Sequence, residues 1–279
     1  MTTRITDPER ALTIAVEAAR DAGTLLAEAF AGGPAPLLGR RHIADTKSAE
    51  FDLVTEYDRR SETLLVERLA TAFPSDTVIA EEGGGHDGVG ATWFVDPLDG
   101  TTNFAHGLPF FCVAIGRVTD GRPDLGVVFA PVLGLTFTAI RGRGAFCNGK
   151  RLHVSDVATI DRSMLGTGFP SDRQTSGDTN FPQFLAVKQR ARAVRRYGSS
   201  ALDQALVAAG TFDGFWEMKL KAWDLAAGSL LVEEAGGRAT GWMGEPLRLE
   251  RGAVLASNGK IHDELVAIIT AAGIPDAVR

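Results

Sequence analysis

Five carboxylates carry the chemistry open to this sequence: Asp58, Glu81, Asp96, Asp99 and Asp224. Each stands where a strand or a helix is expected to begin or end. Trp93-Phe94-Val95 is bulky and apolar and reads as a buried strand. Pro97 cannot donate to a ladder, so it is expected to stop that strand and leave Asp96 at its carboxyl end. Asp99 follows across a tight turn that Gly100 permits. Thr101, Thr102 and Asn103 suit the first turn of a short helix, where backbone N–H groups lack partners. Two carboxylates beside bare amides call for a divalent cation on the acids and an anion such as phosphate on the amides. An isolated D-x-x-D would be no more than a loop with a helix cap.

The surrounding strings say more. Asp96-Pro97-Leu98-Asp99-Gly100-Thr101-Thr102-Asn103-Phe104 resembles the signature of the inositol monophosphatase family of Mg²⁺-dependent, Li⁺-sensitive phosphatases. Lys47 through Asp58, with Asp52-Leu53-Val54-Thr55 between, is similar to that family's first motif. Ile79-Ala80-Glu81-Glu82-Gly83 resembles its strand-end glutamate pair, and Trp223-Asp224-Leu225-Ala226-Ala227-Gly228 its C-terminal signature. The resemblance spans residues from about 10 to 270. By themselves Asp58 and Asp224 read as helix caps and Glu81-Glu82 as a solvated acidic turn. Five converging carboxylates would repel without a cation. All are oxygen donors, and the His and Cys residues have no zinc-like spacing, so Mg²⁺ suits the set.

The resemblance implies two or three Mg²⁺ per active site. One would be held by Glu81, Asp96 and the Leu98 carbonyl, a second by Asp96, Asp99 and Asp224, and a weaker third by Glu81 and waters. Phosphate would lie against the Gly100 and Thr101 amides. Asp58, Thr101 and Glu81 would serve catalysis, with Thr101 and Asp58 orienting and deprotonating a metal-activated water. A water near Asp224 would protonate the leaving alkoxide. On the substrate side, Arg195-Arg196-Tyr197-Gly198-Ser199-Ser200-Ala201 resembles the family's loop-to-helix segment, of which Gly198, Ser199 and Ser200 would touch the alcohol portion, and Glu217 would bind its hydroxyls. Ser199 alone reads as a helix cap and Glu217 as a strand-end charge. Lys219 departs from the small residue often found there, and with Lys221 it is expected to favour a second anionic group on the substrate. Lys47 is expected to help neutralise the site, and His106 to lie on the surface near its mouth.

The elements that must position these groups follow from periodicity. Asp7-Pro8 starts a helix whose apolar residues run from Leu12 to Phe30. Residues 34–50 read as an exposed loop, basic at Arg40 and Arg41. A second helix is expected from about Asp58 to Ala72, and a short strand at Val78-Ile79-Ala80. Residues 110–154 alternate apolar runs with turns such as Asn148-Gly149 and read as an antiparallel meander. Beyond residue 155, strand-like runs alternate with helical ones, which favours α/β layering. Two halves packed as one body are expected: 1–155 with the metal site and the meander, and 156–279 with the substrate-side residues. The resemblance makes the fold class a mixed α+β and α/β arrangement, the five-layer αβαβα sandwich of the sugar-phosphatase type.

Composition narrows the partners. The 279 residues are 44% hydrophobic, ample for a full core, and carry a net charge of −6, which argues against a nucleic-acid surface. A phosphate ester must then be drawn in by local cations. No run approaches a membrane span, and residues 4–10 are charged with no apolar leader region, so the expected location is the cytoplasm. Cys112 and Cys147 read as reduced thiols. Arg190–Arg196 reads as surface charge or a patch for an acidic protein partner. A homodimer is expected from the resemblance, acting on a small phosphorylated polyol or sugar-like substrate. Inositol 1-phosphate leads; histidinol phosphate, fructose 1,6-bisphosphate and 3′-phosphoadenosine 5′-phosphate are alternatives. A regulatory protein-binding role with secondary phosphatase activity is the alternative of another class.

Overall fold

The computed structural model describes residues 7–32, 44–46 and 53–279. Arg40, Arg41 and Lys47 lie outside them. The first helix, α1 (Pro8–Gly32), starts as its sequence predicts: the Asp7 carboxylate accepts from the Glu9 amide at 3.1 Å. Its buried stripe is largely alanine (Ala11, Ala15, Ala18, Ala19, Ala22), so its backbone can lie close to its neighbours. The stretch read as one exposed loop contains a strand, β1 (Ala44–Thr46), paired antiparallel with β2 (Leu53–Thr55). The next helix, α2 (Glu56–Ala72), begins two residues before Asp58. Thr55 takes the N-cap position, because its hydroxyl accepts from the Tyr57 amide at 3.1 Å. Asp58 moves to the third helical position and accepts the Thr55 amide at 2.7 Å, completing a capping box.

The first half builds an eight-stranded sheet from β3 (Thr77–Ala80), β4 (Gly85–His86), β5 (Thr92–Asp99), β6 (Cys112–Thr119), β7 (Arg122–Ala130), β8 (Leu135–Ile140), β9 (Gly144–Cys147) and β10 (Lys150–Arg151). Its order is β10-β9-β8-β7-β6-β5-β3-β4, so the meander is present as expected. A short helix, α3 (Thr101–Ala105), follows β5. The second half supplies β11 (Met164–Thr167), α4 (Phe181–Lys188), β12 (Ala193–Arg195), α5 (Ser200–Ala208), β13 (Gly214–Glu217), α6 (Ala222–Glu234), β14 (Arg238–Thr240), β15 (Val254–Ser257) and α7 (His262–Ala271). These strands form a five-stranded sheet, β12-β11-β13-β15-β14, parallel across β12, β11 and β13 and antiparallel elsewhere. Sequence reading leaves out β12 and β14, each three residues long and too short for a visible alternation.

Three hydrophobic cores separate five layers. The first holds α1 and α2 against one face of the large sheet, with Leu26, Leu65, Trp93 and Phe104 fully buried. The second lies between the two sheets and encloses α5 and α6. The third packs α4 and α7 on the outer face of the small sheet around Trp216 and Trp242. The helix α6 is therefore covered from both sides, and Leu225 through Val232 are all buried. It approaches the large sheet through glycines. A Cβ at Gly116 would lie 2.5 Å from Ala226 Cβ, and one at Gly126 would lie 2.9 Å from the Ala227 carbonyl oxygen. Among the described residues no helix is long and apolar enough to cross a membrane.

One strand departs from expectation at Pro97. Pairing of β5 with β6 does not stop there but slips: Asp96 faces Ala114, and Asp99 faces Cys112. Three steps on β5 oppose two on β6, so the strand carries one extra residue as a bulge. The proline is tolerated because a bulged position needs no ladder donor. In a regular strand, residues three apart point to opposite faces. The extra residue cancels that alternation and lets Asp96 and Asp99 serve the same side.

Candidate active site

The bulge leads directly to Gly100, whose φ of +99° is open to glycine and strained for other residues. The chain then enters α3. Asp96 and Asp99 are both buried. Asp96 Oδ1 accepts the Leu98 amide at 3.0 Å, bending the chain over Pro97. Asp99 reaches across to α5 in the second half. Its Oδ2 accepts from Ser199 Oγ at 2.7 Å and the Ala201 amide at 2.8 Å, and its Oδ1 from the Ser200 amide at 3.1 Å. Ser199 holds the N-cap position of α5, but its own side chain does not cap. Asp99 caps the helix from a hundred residues away.

Asp224 stands at the third position of α6 and accepts the Lys221 amide at 2.7 Å. Glu81 follows β3 in a turn. These four carboxylates feel one another. Burial first, then the charges of Glu81, Asp99 and Asp224, push Asp96 well above the usual carboxylate range. Burial, then Glu81 and Asp99, do the same to Asp224. Burial raises Asp99 as well, while the bonds from Ser199, Ala201 and Ser200 pull it back. Among the described residues no three His, Cys, Asp or Glu side chains converge on one point. Asp96 and Glu81 meet in a side-chain hydrogen bond, which adds to the rise at Asp96. An all-oxygen set that must shed charge fits a hard divalent cation.

Asp58 is fully buried. Its Oδ2 is held by the Thr55 amide and hydroxyl, and its Oδ1 accepts from Thr101 Oγ1 at 2.9 Å. The same hydroxyl lies 3.1 Å from the Leu98 carbonyl oxygen. The structure thus brings Asp58 to Leu98 and Thr101, from which it lies some forty residues away in sequence. On the substrate side, Ser200 Oγ donates to Glu217 Oε2 at 2.6 Å. Burial raises Glu217 to about 7, against the pull of the Ser200 bond and the Arg196 charge. Gly198, with φ +83°, and Ser199 lead into α5 beside them.

Several residues were missed by sequence reading. On α2, Ser61 and Glu62 share the buried face of Asp58, three and four positions on. Ser61 Oγ donates to the Pro97 carbonyl at 2.8 Å. Glu62 accepts the Glu82 amide at 2.6 Å and the Gly84 amide at 2.7 Å, pinning the turn that carries Glu81. Their spacing from Asp58 was the available signal, but polar residues on a helix usually face water. Asn103 donates to the Phe110 and Tyr197 carbonyls, both at 2.7 Å, tying α3 to the segment before Gly198. Gln204 Nε2 donates to the Ser200 and Asp224 carbonyls, linking α5 to α6. Arg196, which the sequence places both in the substrate segment and in a run of surface charge, puts its charge on Glu217 and Asp203. Lys219 is spoken for: its Nζ lies 2.7 Å from both Asp172 Oδ2 and Ser176 Oγ. His106 is exposed at the end of α3, as expected.

Glu62→Gln offers a direct check of the pinned turn. An amide keeps one acceptor and turns its NH₂ toward the other backbone N–H. Leaving one buried donor unmet costs about 1–3 kcal/mol. Urea unfolding should show that loss; an unchanged midpoint would mean that the turn holds without Glu62.

Comparison with known proteins gives the family. The model of the inositol monophosphatase family matches residues 7–273. The chain is 41% identical to the inositol-1-monophosphatase of Synechocystis sp., over 93% of its own length and 88% of that protein's. It is 42% identical to the Nus factor SuhB of Pseudomonas aeruginosa, over 92% of this chain and 95% of that one. The solved inositol monophosphatase of Anabaena (Nostoc) sp. PCC 7120 superposes with a TM-score of 0.84 at 37% identity, covering 94% of this chain and 96% of its own. Matches of this extent, in sequence and in fold alike, place the chain in the inositol monophosphatase family and make it a phosphatase, a hydrolase of phosphoric monoesters.

Proposed function

We propose that this chain hydrolyses a small phosphorylated polyol, inositol 1-phosphate foremost, with the help of Mg²⁺. The observation that carries the reading is the bulge at Pro97. It lets Asp96 and Asp99 serve one side, where Asp224 and Glu81 also exert their charge. Glu81, Asp96, the Leu98 carbonyl, Asp99 and Asp224 would hold two or three Mg²⁺. When bound, Mg²⁺ neutralises charge on the phosphoryl group and lowers the pKa of water.

The chain's own residues supply the rest. Asp58 takes the Thr101 hydroxyl proton in a hydrogen bond, which leaves the Thr101 oxygen free to accept from the attacking water. Thr101 and Asp58 thereby aim the water and receive its proton. The Gly100 and Thr101 amides would meet the phosphate. Ser200 and Glu217, hydrogen-bonded to each other at the start of α5, would bind hydroxyls of the alcohol portion. Glu217 near 7 can both accept from and donate to a polyol around neutral pH.

The test is phosphate release from inositol 1-phosphate, histidinol phosphate, fructose 1,6-bisphosphate and 3′-phosphoadenosine 5′-phosphate, with Mg²⁺ and with excess chelator. Inositol 1-phosphate should lead, and chelator should stop it. Full turnover in chelator would sink the Mg²⁺ reading, and preference for another ester would replace the substrate. Glu217→Ala should then hurt inositol 1-phosphate more than a simple aryl phosphate, by the ~1.5–3 kcal/mol of a hydrogen bond to a charged group. Equal loss on both would make Glu217 structural.

The 42% identity to a protein named Nus factor SuhB supports a second reading, a regulatory role through a protein partner. The complete carboxylate set favours catalysis first. A pull-down with an Asp96→Asn protein would separate the two, because a purely regulatory surface would keep its partner. The family resemblance implies a homodimer, and the free thiols of Cys112 and Cys147 are in keeping with the cytoplasm.

A further inference from the structure

Lys219 stands two residues beyond Glu217 with a φ of +59°. The other described non-glycine residues with positive φ are Asp120 and Asn148, types that tolerate this region; a lysine does not gain from it. Strain of this kind persists where surrounding contacts enforce it. Here the contacts come from the Lys219 ammonium, which donates to Asp172 Oδ2 and Ser176 Oγ at 2.7 Å each. Both partners belong to the 169–179 loop that follows β11.

The loop is fixed at its root as well. β11 and β13 run parallel, with Thr167 beside Trp216, so the segments leaving their carboxyl ends emerge side by side. Ligands of such sheets bind outside those ends. Gly168 presses on the Glu217 carboxylate: a Cβ there would lie 1.8 Å from Glu217 Oε1. The buried Asn180 closes the loop, donating to Thr167 Oγ1 at 2.8 Å and to the Gly168 carbonyl at 2.7 Å while accepting from Trp216 Nε1 at 2.8 Å. Asp178 accepts the Asp276 and Ala277 amides and holds the far side.

We infer that Lys219 is a specificity-determining positioning residue: it clamps the 169–179 loop beside Glu217 and so limits the size of the alcohol portion that the site accepts. The inference rests on the reading of Glu217 as part of the polyol pocket. It also means that the Lys219 charge is met within the protein by Asp172 and does not recruit a second anion on the substrate.

The test compares wild type, Lys219→Gly, Lys219→Arg, Asp172→Asn and the Lys219→Gly/Asp172→Asn pair. Substrates are inositol 1-phosphate, 4-nitrophenyl phosphate and the bulkier 3′-phosphoadenosine 5′-phosphate, each with saturating Mg²⁺. Lys219→Gly should raise KM for inositol 1-phosphate about tenfold, the scale of one lost pocket contact, with kcat within twofold. Values for 4-nitrophenyl phosphate should hold, and the kcat/KM ratio of the bulky ester to inositol 1-phosphate should rise. Asp172→Asn should act alike, the pair should be no worse than either single change, and Lys219→Arg should retain the wild-type ratio. The melting temperature should barely move, because glycine relieves the backbone as the ion pair is lost. An unchanged ratio in Lys219→Gly, or additive effects of the two changes, would overturn the clamp. If wild type ignores inositol 1-phosphate yet Lys219→Gly still shifts the preference between small and bulky esters, the substrate assignment fails and the clamp stands.

Discussion

Asp96→Asn should all but abolish turnover while raising the melting temperature of the metal-free protein at pH 8. Asp96 is buried and raised by burial and by Glu81, Asp99 and Asp224. A carboxyl whose folded pKa lies above its unfolded value stabilises the fold while protonated, below the unfolded pKa. That contribution is lost as pH rises through the folded pKa. Asp96, Asp99 and Asp224 are all raised, and Glu217 is raised from 4.5 to about 7, so the four act in one direction. The metal-free protein should therefore weaken from pH 5 to pH 8, and Mg²⁺ should restore it. An Asn at 96 keeps the acceptor for the Leu98 amide and presents an NH₂ to Glu81 in place of a like charge. For a chain of this length each kcal/mol is worth roughly 2–4 °C, so a rise of a few degrees is expected. Turnover should fall by ~10³-fold or more, the several kcal/mol that a held cation supplies to phosphoryl transfer. Thermal melts at the two pH values, with and without Mg²⁺, beside kcat, decide the matter. A lower apo melting temperature at pH 8, or kcat within tenfold of wild type, would refute it.

Thr101→Ala and Asp58→Asn should each lower kcat by ~10²–10⁴, the usual share of positioned proton transfer, and leave Mg²⁺ affinity nearly unchanged. Their structural costs differ. Without its hydroxyl, residue 101 leaves Asp58 Oδ1 short of a buried donor, which costs about 1–3 kcal/mol. Asp58→Asn can keep its oxygen on the Thr55 amide and turn its NH₂ to Thr101 Oγ1, which then donates to the Leu98 carbonyl. That network is satisfied but runs backwards: residue 58 no longer accepts from Thr101, so stability survives and proton transfer does not. Because the pair works as a unit, the double variant should be little slower than either single one. Calorimetric Mg²⁺ titration with kcat for all three variants is the measurement. Additive rate losses would separate the two residues and end the relay.

Asp99 shows how far the sequence could be read. Its motif was legible, and so was the turn at Gly100. From that alone, Asp99→Asn would simply relieve repulsion and leave the metal-free fold as stable as before. The structure reverses the expectation, because Asp99 also caps α5 through Ser199, Ser200 and Ala201. An amide there would point its NH₂ at a backbone N–H. Contacts across a hundred residues leave no trace in periodicity. The bulge was hidden for a different reason: proline ordinarily ends a strand, and the pairing that carries β5 past Pro97 belongs to β6. Ser61 and Glu62 were hidden because a polar helix position looks the same whether it faces water or a turn. What remained visible were features that local chemistry alone determines: the α1 cap at Asp7, the meander, the alternation after residue 155, and acids at element ends.

The closeness of α6 to the large sheet bears on how the acids can be respaced. Asp224 rides on α6, and Asp96 and Asp99 ride on β5, which pairs with β6. What separates helix from sheet is the absence of side chains at Gly116 on β6 and Gly126 on β7. The gap between the two acidic groups is thus measured in missing methyls. A single added carbon at Gly116 would push against Ala226 and the Ala227 backbone, and lifting α6 would carry Asp224 away from its neighbours. Two positions with no functional group of their own therefore act as the calipers of the site.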